Sequence, residues 1–266
     1  MKRRLGQQET QMLAYLQMRG QRVVCAGEIS RALRLSRVQE RRLLARLAHA
    51  RVVARVRRGL YLVPATLPLG GSWTPDEILA LNTLMADSGG RYQICGPNAF
   101  NRYGFSEQIP TRLYAYNDRI SGERCIGAAT LVLIKVASGR LGATERVRTP
   151  AGDVAVYSSR ARTLVDAVYD WSRFNSLPRA FSWIRSDLEA GRVSAAALVR
   201  ITLRFGDVGT IRRIGALLDR AGAPSAAVRR LGRALKPSTA LIPWIPTRPK
   251  RGEVDRRWGV VWNEQA

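Results

Sequence analysis

The chain has 266 residues, 46% hydrophobic and 24% charged, which suits one large or two smaller globular domains and excludes a disordered chain. Forty-four Lys+Arg against twenty Asp+Glu give a formal charge of +24 and a pI near 11.4, so nucleic acid is the expected partner. The longest apolar run, 128–136, is interrupted by Thr130 and Lys135 and too short for a bilayer, and Met1-Lys2-Arg3-Arg4 leads into no signal-peptide core; the expected setting is the cytoplasm, with no membrane partner.

A first helix is expected from about Gln7 to Met18, with Met12, Leu13 and Leu16 apolar at helical spacing and Gly20 ending it. A short second helix, Ala26 to Leu33, buries Ile29, Ala32 and Leu33, and Leu35 bridges a turn. Ser36 then stands as an N-cap, with Gln39 three residues on completing a capping box. The third helix turns Val38, Leu43, Leu44 and Leu47 inward and presents Arg37, Glu40, Arg41 and Arg42 on its other face. Two β-rich runs, 52–56 and 60–63, flank Arg57-Arg58-Gly59, where Gly59 supplies the positive φ of a tight hairpin.

Helix, turn, helix and basic hairpin in that order are the order of a winged helix-turn-helix, whose second motif helix enters the major groove. Arg37, Glu40 and Arg41 are the expected base readers, Arg34, Arg46, Arg57 and Arg58 the expected phosphate or minor-groove contacts, and Ser36 and Arg42 complete the set. Residues 1–65 hold fifteen Lys+Arg and three acids, a net +12, which is half the charge of the chain in a quarter of its length. Arginine is common everywhere here, so a basic helix alone is an ordinary solvated face. Charge, capped turn and basic hairpin together point to double-stranded DNA.

Thr66 to Trp73 reads as a Pro/Gly-rich linker, with Thr74 as N-cap and Pro75 in the first turn of a helix through Ile78, Leu81, Leu84 and Met85, ended by Gly89-Gly90. Arg91 to Cys95 is an expected strand, Gly96-Pro97-Asn98 opens a short helix closed by Gly104, and strands follow at Arg112 to Tyr116, Ala129 to Val136 and Val154 to Tyr157. Helices are then expected at Ala161–Trp171, Leu177–Glu189, Ala195–Phe205, Val208–Ala221 and Ala226–Leu235, and Trp258 to Trp262 returns as a strand. The fold class expected is α+β: a winged helix-turn-helix domain at 1–65, a linker at 66–73, and a mixed sheet and helical domain at 74–266 with a basic tail.

A basic segment ending GLYLVP, then YQICGPNAFNRYGFSEQIPTRLYAY, then RARTLVDAV and an arginine-rich helical block, resembles the AbiEi-type antitoxins of type IV toxin–antitoxin systems, from about Leu13 to Asp219. The resemblance implies an N-terminal domain that represses its own promoter. It also implies a C-terminal domain that neutralises a nucleotidyltransferase-like toxin, with or without direct contact. The alternative is a winged-helix regulator whose C-terminal domain senses a ligand.

Catalytic material is scarce. His49 is the one histidine, so Ser-His-Asp and Cys-His mechanisms lack parts, and it is expected to pack or cap the end of its helix. Cys25, Cys95 and Cys125 are isolated and read as buried apolar residues rather than metal ligands. Arg162 and Asp166 are spaced i,i+4, as an ion pair on a helix face, and no second acid suggests a nuclease. Arg112, Tyr114 and Tyr116 alternate as a base-stacking platform would, although a sheet covered by helices explains them equally. The late cluster Arg229, Arg230, Arg233, Lys236, Arg248, Lys250 and Arg251 fits an extended DNA footprint, an acidic protein partner or a solvated face. No enzyme activity, cofactor or metal is expected.

Overall fold

The computed structural model describes residues 5–66 and 72–264. They form a mixed α+β structure with several sheets. The chain divides into two compact units. The first comprises Met1–Tyr92, Thr111–Ser138 and Val147–Ala155, and the second Gln93–Pro110, Gly139–Arg146 and Val156–Ala266. The division therefore does not fall at the expected 66–73 linker, of which 67–71 lie outside the described residues. The flank of that segment is held, because the Trp73 N–H donates to the Arg51 carbonyl at 2.7 Å.

The first unit opens with α1 (Gln7–Met18), β1 (Val23–Cys25), α2 (Glu28–Ala32) and α3 (Arg37–His49), then β2 (Ala54–Arg57) and β3 (Leu60–Leu62). Their core is a single apolar cluster of Met12, Leu13, Leu16, Val24, Ile29, Leu43, Leu44, Leu47, Val52, Val53, Tyr61 and Val63. The hairpin turns on Gly59 at φ +81°, with a bulge between Arg55 and Arg57. Strand β1, which sequence reading missed because three residues are too few to show alternation, pairs antiparallel with β3 in the order β1-β3-β2.

Two inward assignments need correction. Ala32 is exposed, and Val38 retains 52% of its surface. The buried stripe of α3 runs Glu40, Leu43, Leu44, Leu47, the i, i+3, i+4, i+7 pattern. Val38 lies two residues off that stripe, some 200° around the helix, and so falls on the outward face with Arg41 and Ala45.

The first unit continues with α4 (Glu77–Ser88), capped by Asp76 rather than Thr74: the Asp76 carboxylate accepts from the Ile78 and Leu79 N–H groups at 2.8 and 3.2 Å. Later in the chain come β4 (Tyr92–Ile94), α5 (Gly96–Arg102), β5 (Leu113–Asn117), β6 (Gly122–Ile126), β7 (Ala129–Lys135), β8 (Thr144–Arg148) and β9 (Val154–Ser158). The sheet order is β6-β7-β5-β4-β9-β8, and β4, β8 and β9 each have residues in both units. Strand β5 pairs parallel with β7 (Ala115 opposite Leu133), and β6 antiparallel with β7 (Arg124 opposite Leu131). Strands β6 and β8 lie at the edges and are mostly exposed, so neither shows the apolar alternation that would announce it.

The second unit is dominated by helices: α6 (Arg160–Tyr169), α7 (Trp171–Phe174), α8 (Arg179–Glu189), α9 (Ala195–Phe205), α10 (Val208–Arg220) and α11 (Ser225–Arg233). A small sheet closes the described chain, with β10 (Ile242–Pro243), β11 (Glu253–Asp255) and β12 (Val260–Trp262) in the order β10-β12-β11. Two fully buried tryptophans fasten the tail. Trp244 stacks on Phe181 with ring centres 3.7 Å apart, and Trp258 donates its indole N–H to Asp219 at 2.9 Å. Within α10, Gly215 leaves the space that the Trp258 ring fills.

Candidate nucleic-acid interface

The outward face of α3 is set by how its first turn begins. Ser36 Oγ accepts from the Gln39 N–H at 3.2 Å, and Gln39 Oε1 accepts from the Ser36 N–H at 2.8 Å, so the expected capping box is present. This uses the Ser36 hydroxyl on its own helix. Arg34 sits in the preceding turn in the left-handed region, at φ +52°, and is exposed.

Glu40 does not face outward. It is buried, and its carboxylate accepts from the N–H groups of Gly27 (3.0 and 2.9 Å), Ile29 (3.0 Å) and Ser30 (3.2 Å). These are the first N–H groups of α2, which have no partner within the helix. Glu40 is thus a long-range cap that clasps α2 to α3. The expectation that it reads a base is corrected, because every one of its oxygens is taken up inside the fold.

Arg37, Arg41 and Arg42 are exposed, and among the described residues none of them forms an ion pair. Arg37, Val38 and Arg41 from α3 share a recess of about 250 Å³ with Arg58 and Gly59 at the hairpin tip. Arg46 is also exposed, and its guanidinium lies 3.9 Å from the nearly buried carboxylate of Glu9. Three exposed guanidiniums, those of Arg37, Arg41 and Arg58, thus share one surface, with a branched aliphatic side chain among them that the sequence pattern assigns to the core.

The two arginines of the hairpin separate in role. Arg57 is clamped through Nε and Nη2 to the Asp87 carboxylate of α4 at 2.6 and 2.5 Å, and its Nη1 donates to the Arg58 carbonyl. The Arg57 hydrogen bonds hold the Asp87 carboxyl below its ordinary pKa. Arg57, expected to touch DNA, is therefore an anchor that ties the hairpin to α4, and Arg58 is left exposed at the tip. Its partner, thirty residues downstream, gives no local signal in the sequence.

Arg162 and Asp166 form the expected pair at 2.8 Å, but both are buried rather than on a solvated face, and Arg140 reaches Asp166 as well at 3.4 Å. Burial raises the Asp166 pKa, opposed by the two guanidiniums. No group of three His, Cys, Asp or Glu side chains among the described residues is placed to hold a metal ion. Tyr116 is buried and Arg112 is ion-paired with Glu123 at 2.9 Å, so these residues do not form an open stacking platform. Cys95 is buried, whereas Cys25 and Cys125 are exposed, contrary to the reading of all three as core. His49 ends α3 and is exposed. The late basic cluster is exposed throughout, and Arg230 of α11 shares a second recess with Arg200 and Arg204 of α9. Among the described residues, no helix is long and apolar enough to cross a membrane.

A planar guanidinium presented on a helix N-terminal turn suits bidentate bonding to guanine O6 and N7 or to a phosphate. The Glu40 carboxylate, which lines the recess, is buried and bonded to the backbone N–H groups of α2, and Glu9 is buried as well.

No family model and no curated protein matches the chain. Among solved structures it is similar to the crystal structure of the RV2827C protein from Mycobacterium tuberculosis, with a TM-score of 0.60 at 15% sequence identity, over 97% of this chain and 92% of that one. At that identity the likeness concerns the fold alone, and it runs through both compact units.

Proposed function

We propose that this protein is a winged helix-turn-helix repressor that binds its own promoter and doubles as the antitoxin of a nucleotidyltransferase-like toxin. The observation that carries the DNA-binding part is the shared recess of α3 and the hairpin tip, which the exposed Arg37, Arg41 and Arg58 line together with one acid, Glu40, that is buried and bonded to backbone N–H groups. In this reading α2 and α3 are the helix-turn-helix, α3 enters the major groove, and the β2–β3 hairpin is the wing. Arg37 and Arg41 contact base edges, while Arg34, Arg42 and Arg58 grip phosphates. The antitoxin part rests on the AbiEi-like run of segments from Leu13 to Asp219.

The test is a titration of the purified chain against its upstream region and a scrambled duplex at two salt concentrations. Arg41→Ala is expected to cost about 1–3 kcal/mol on the promoter and to relax preference at one or two positions. Arg58→Ala should weaken both duplexes and reduce the salt slope by about one. Wild-type binding by both variants would refute the interface. The antitoxin role is checked by co-expressing the full chain with a nucleotidyltransferase-like toxin from the same genome: Arg41→Ala is expected to lose repression and keep neutralisation, and continued toxicity with the wild-type chain would refute that role.

One observation favours the second reading, a ligand-sensing regulator. The second unit has a recess of about 750 Å³ lined by Leu188, Val193, Leu217, Arg185, Arg220 and Trp262, a size that suits small molecules. A small molecule that releases promoter DNA from the chain would select this reading over the antitoxin.

A further inference from the structure

We propose that Val38 reads the 5-methyl group of a thymine, making the α3 surface selective for T-containing duplex DNA; this rests on the DNA-binding reading above. Val38 keeps 52% of its surface, whereas Val24, Val52, Val53 and Val63 of the same unit are 0–3% exposed. Its exposure is a consequence of fixed structure. The Ser36–Gln39 box locks the turn in which it lies, and the Glu40 clasp immediately after it holds α3 against α2. Valine in a helix has essentially one side-chain rotamer, so ordering it on a ligand costs little entropy.

The surroundings define what Val38 meets. It lies in the recess with the exposed Arg37, Arg41 and Arg58 and with Glu40, whose buried carboxylate is bonded to backbone N–H groups, so three cations against one acid make the partner anionic there. Of the larger apolar side chains that line the recess Val38 is the exposed one, Leu44 and Tyr61 being buried, and this offers too little apolar area for a hydrophobic protein face or a lipid layer. It matches a polyanion that projects one small apolar group, and in the major groove that group is the thymine methyl. Val38 and Arg41 are i,i+3 neighbours, about 5–6 Å apart at Cβ, against about 3.4 Å between successive bases on a strand. A guanine contacted by Arg41 therefore lies within one or two base pairs of that thymine. Uracil lacks the methyl group, so the same contact distinguishes DNA from RNA.

The experiment replaces each thymine of the bound promoter duplex by deoxyuridine, one at a time, which removes a methyl group and leaves pairing unchanged. Full-length wild-type protein and Val38→Ala are titrated against every duplex. Wild type should lose about three- to fivefold in affinity at one thymine of each bound site, the value of one buried methyl. Val38→Ala should bind the thymine and deoxyuridine forms of that site equally. Its exposure makes truncation compatible with an intact fold, which retained binding to the remaining duplexes verifies. Wild type that prefers the promoter yet ignores every deoxyuridine overturns the proposal, as does a Val38→Ala protein that still loses affinity at the same thymine. Equal binding to promoter and scrambled duplex removes the DNA-recognition reading itself, and this proposal falls with it.

Discussion

Replacing Glu40 by alanine tests whether this residue is a structural clasp or a reader of bases. The carboxylate accepts from three backbone N–H groups, those of Gly27, Ile29 and Ser30, across a gap of ten to thirteen residues. Ile29 is fully buried, and the other two residues are half-buried. Hydrogen bonds to a charged group contribute about 1.5–3 kcal/mol each, and a buried donor left without a partner costs about 1–3 kcal/mol. Water can recover part of the loss at Gly27 and Ser30, so Glu40→Ala should cost about 3–5 kcal/mol, a large fraction of the roughly 5–15 kcal/mol that stabilises a typical protein. With a urea slope of about 1–3 kcal/mol per molar, the unfolding midpoint of this unit falls by about 1–5 M. Glu40→Gln keeps one carbonyl acceptor for Ile29 and Ser30 and presents an amide donor to the Gly27 N–H, so it should cost about half as much. The assay is urea unfolding followed by circular dichroism, with amide exchange resolved over α2. A Glu40→Ala protein that kept wild-type stability and changed its sequence preference would refute the clasp and restore the role first expected for this residue.

Gly215→Ala is expected to destabilise the second unit, because the new methyl group would overlap the fully buried Trp258 ring. Overpacking costs about 1–3 kcal/mol or more, above the roughly 1 kcal/mol by which alanine is the better helix former, so a melting temperature at or above wild type would show that the ring moves freely. The Arg57–Asp87 clamp makes a pH prediction. The Asp87 pKa is depressed in the fold, so its contribution is present above the unfolded carboxylate value, about 3.9, and is lost as the pH falls through the folded value. The difference in urea midpoint between wild type and Asp87→Asn should therefore shrink on going from about pH 7 to about pH 2.5. A difference that stays constant over that range would mean the clamp contributes nothing through its charge.

Local signals reported most of the fold. The apolar spacing of Met12, Leu13 and Leu16, the Ser36–Gln39 box, Gly59 at the hairpin turn and the amphipathic helices from 160 onward all act over a few residues, and each is found where it was read. What the sequence concealed depends on partners far along the chain. Glu40 looked like a surface acid because its three donors lie ten to thirteen residues earlier, and Arg57 looked free because Asp87 follows thirty residues later. Val38 is a different case, since its outward position was available in principle from the phase of Leu43, Leu44 and Leu47. Its apolar character points inward, whereas its angle on the helix points outward.

The corrections at Glu40 and Arg57 have a common direction. Each removes a charged residue from the proposed interface and assigns it to holding the interface in place. Glu40 fixes α3 against α2, and Arg57 fixes the hairpin against α4, so the two elements that line the recess are each anchored by one charged side chain. The surface that remains for a ligand is smaller than the sequence implied, namely Arg37, Val38, Arg41 and Arg58 with Arg34 and Arg42 beside them. A small, rigid set of this kind gains specificity from pre-organisation, because little side-chain and loop entropy remains to be lost on binding. It follows that variants of the anchors and variants of the contact residues differ in kind. Arg57→Ala should release the hairpin and weaken promoter and scrambled duplex alike, whereas changes at Arg41 and Val38 should alter which sequences are preferred.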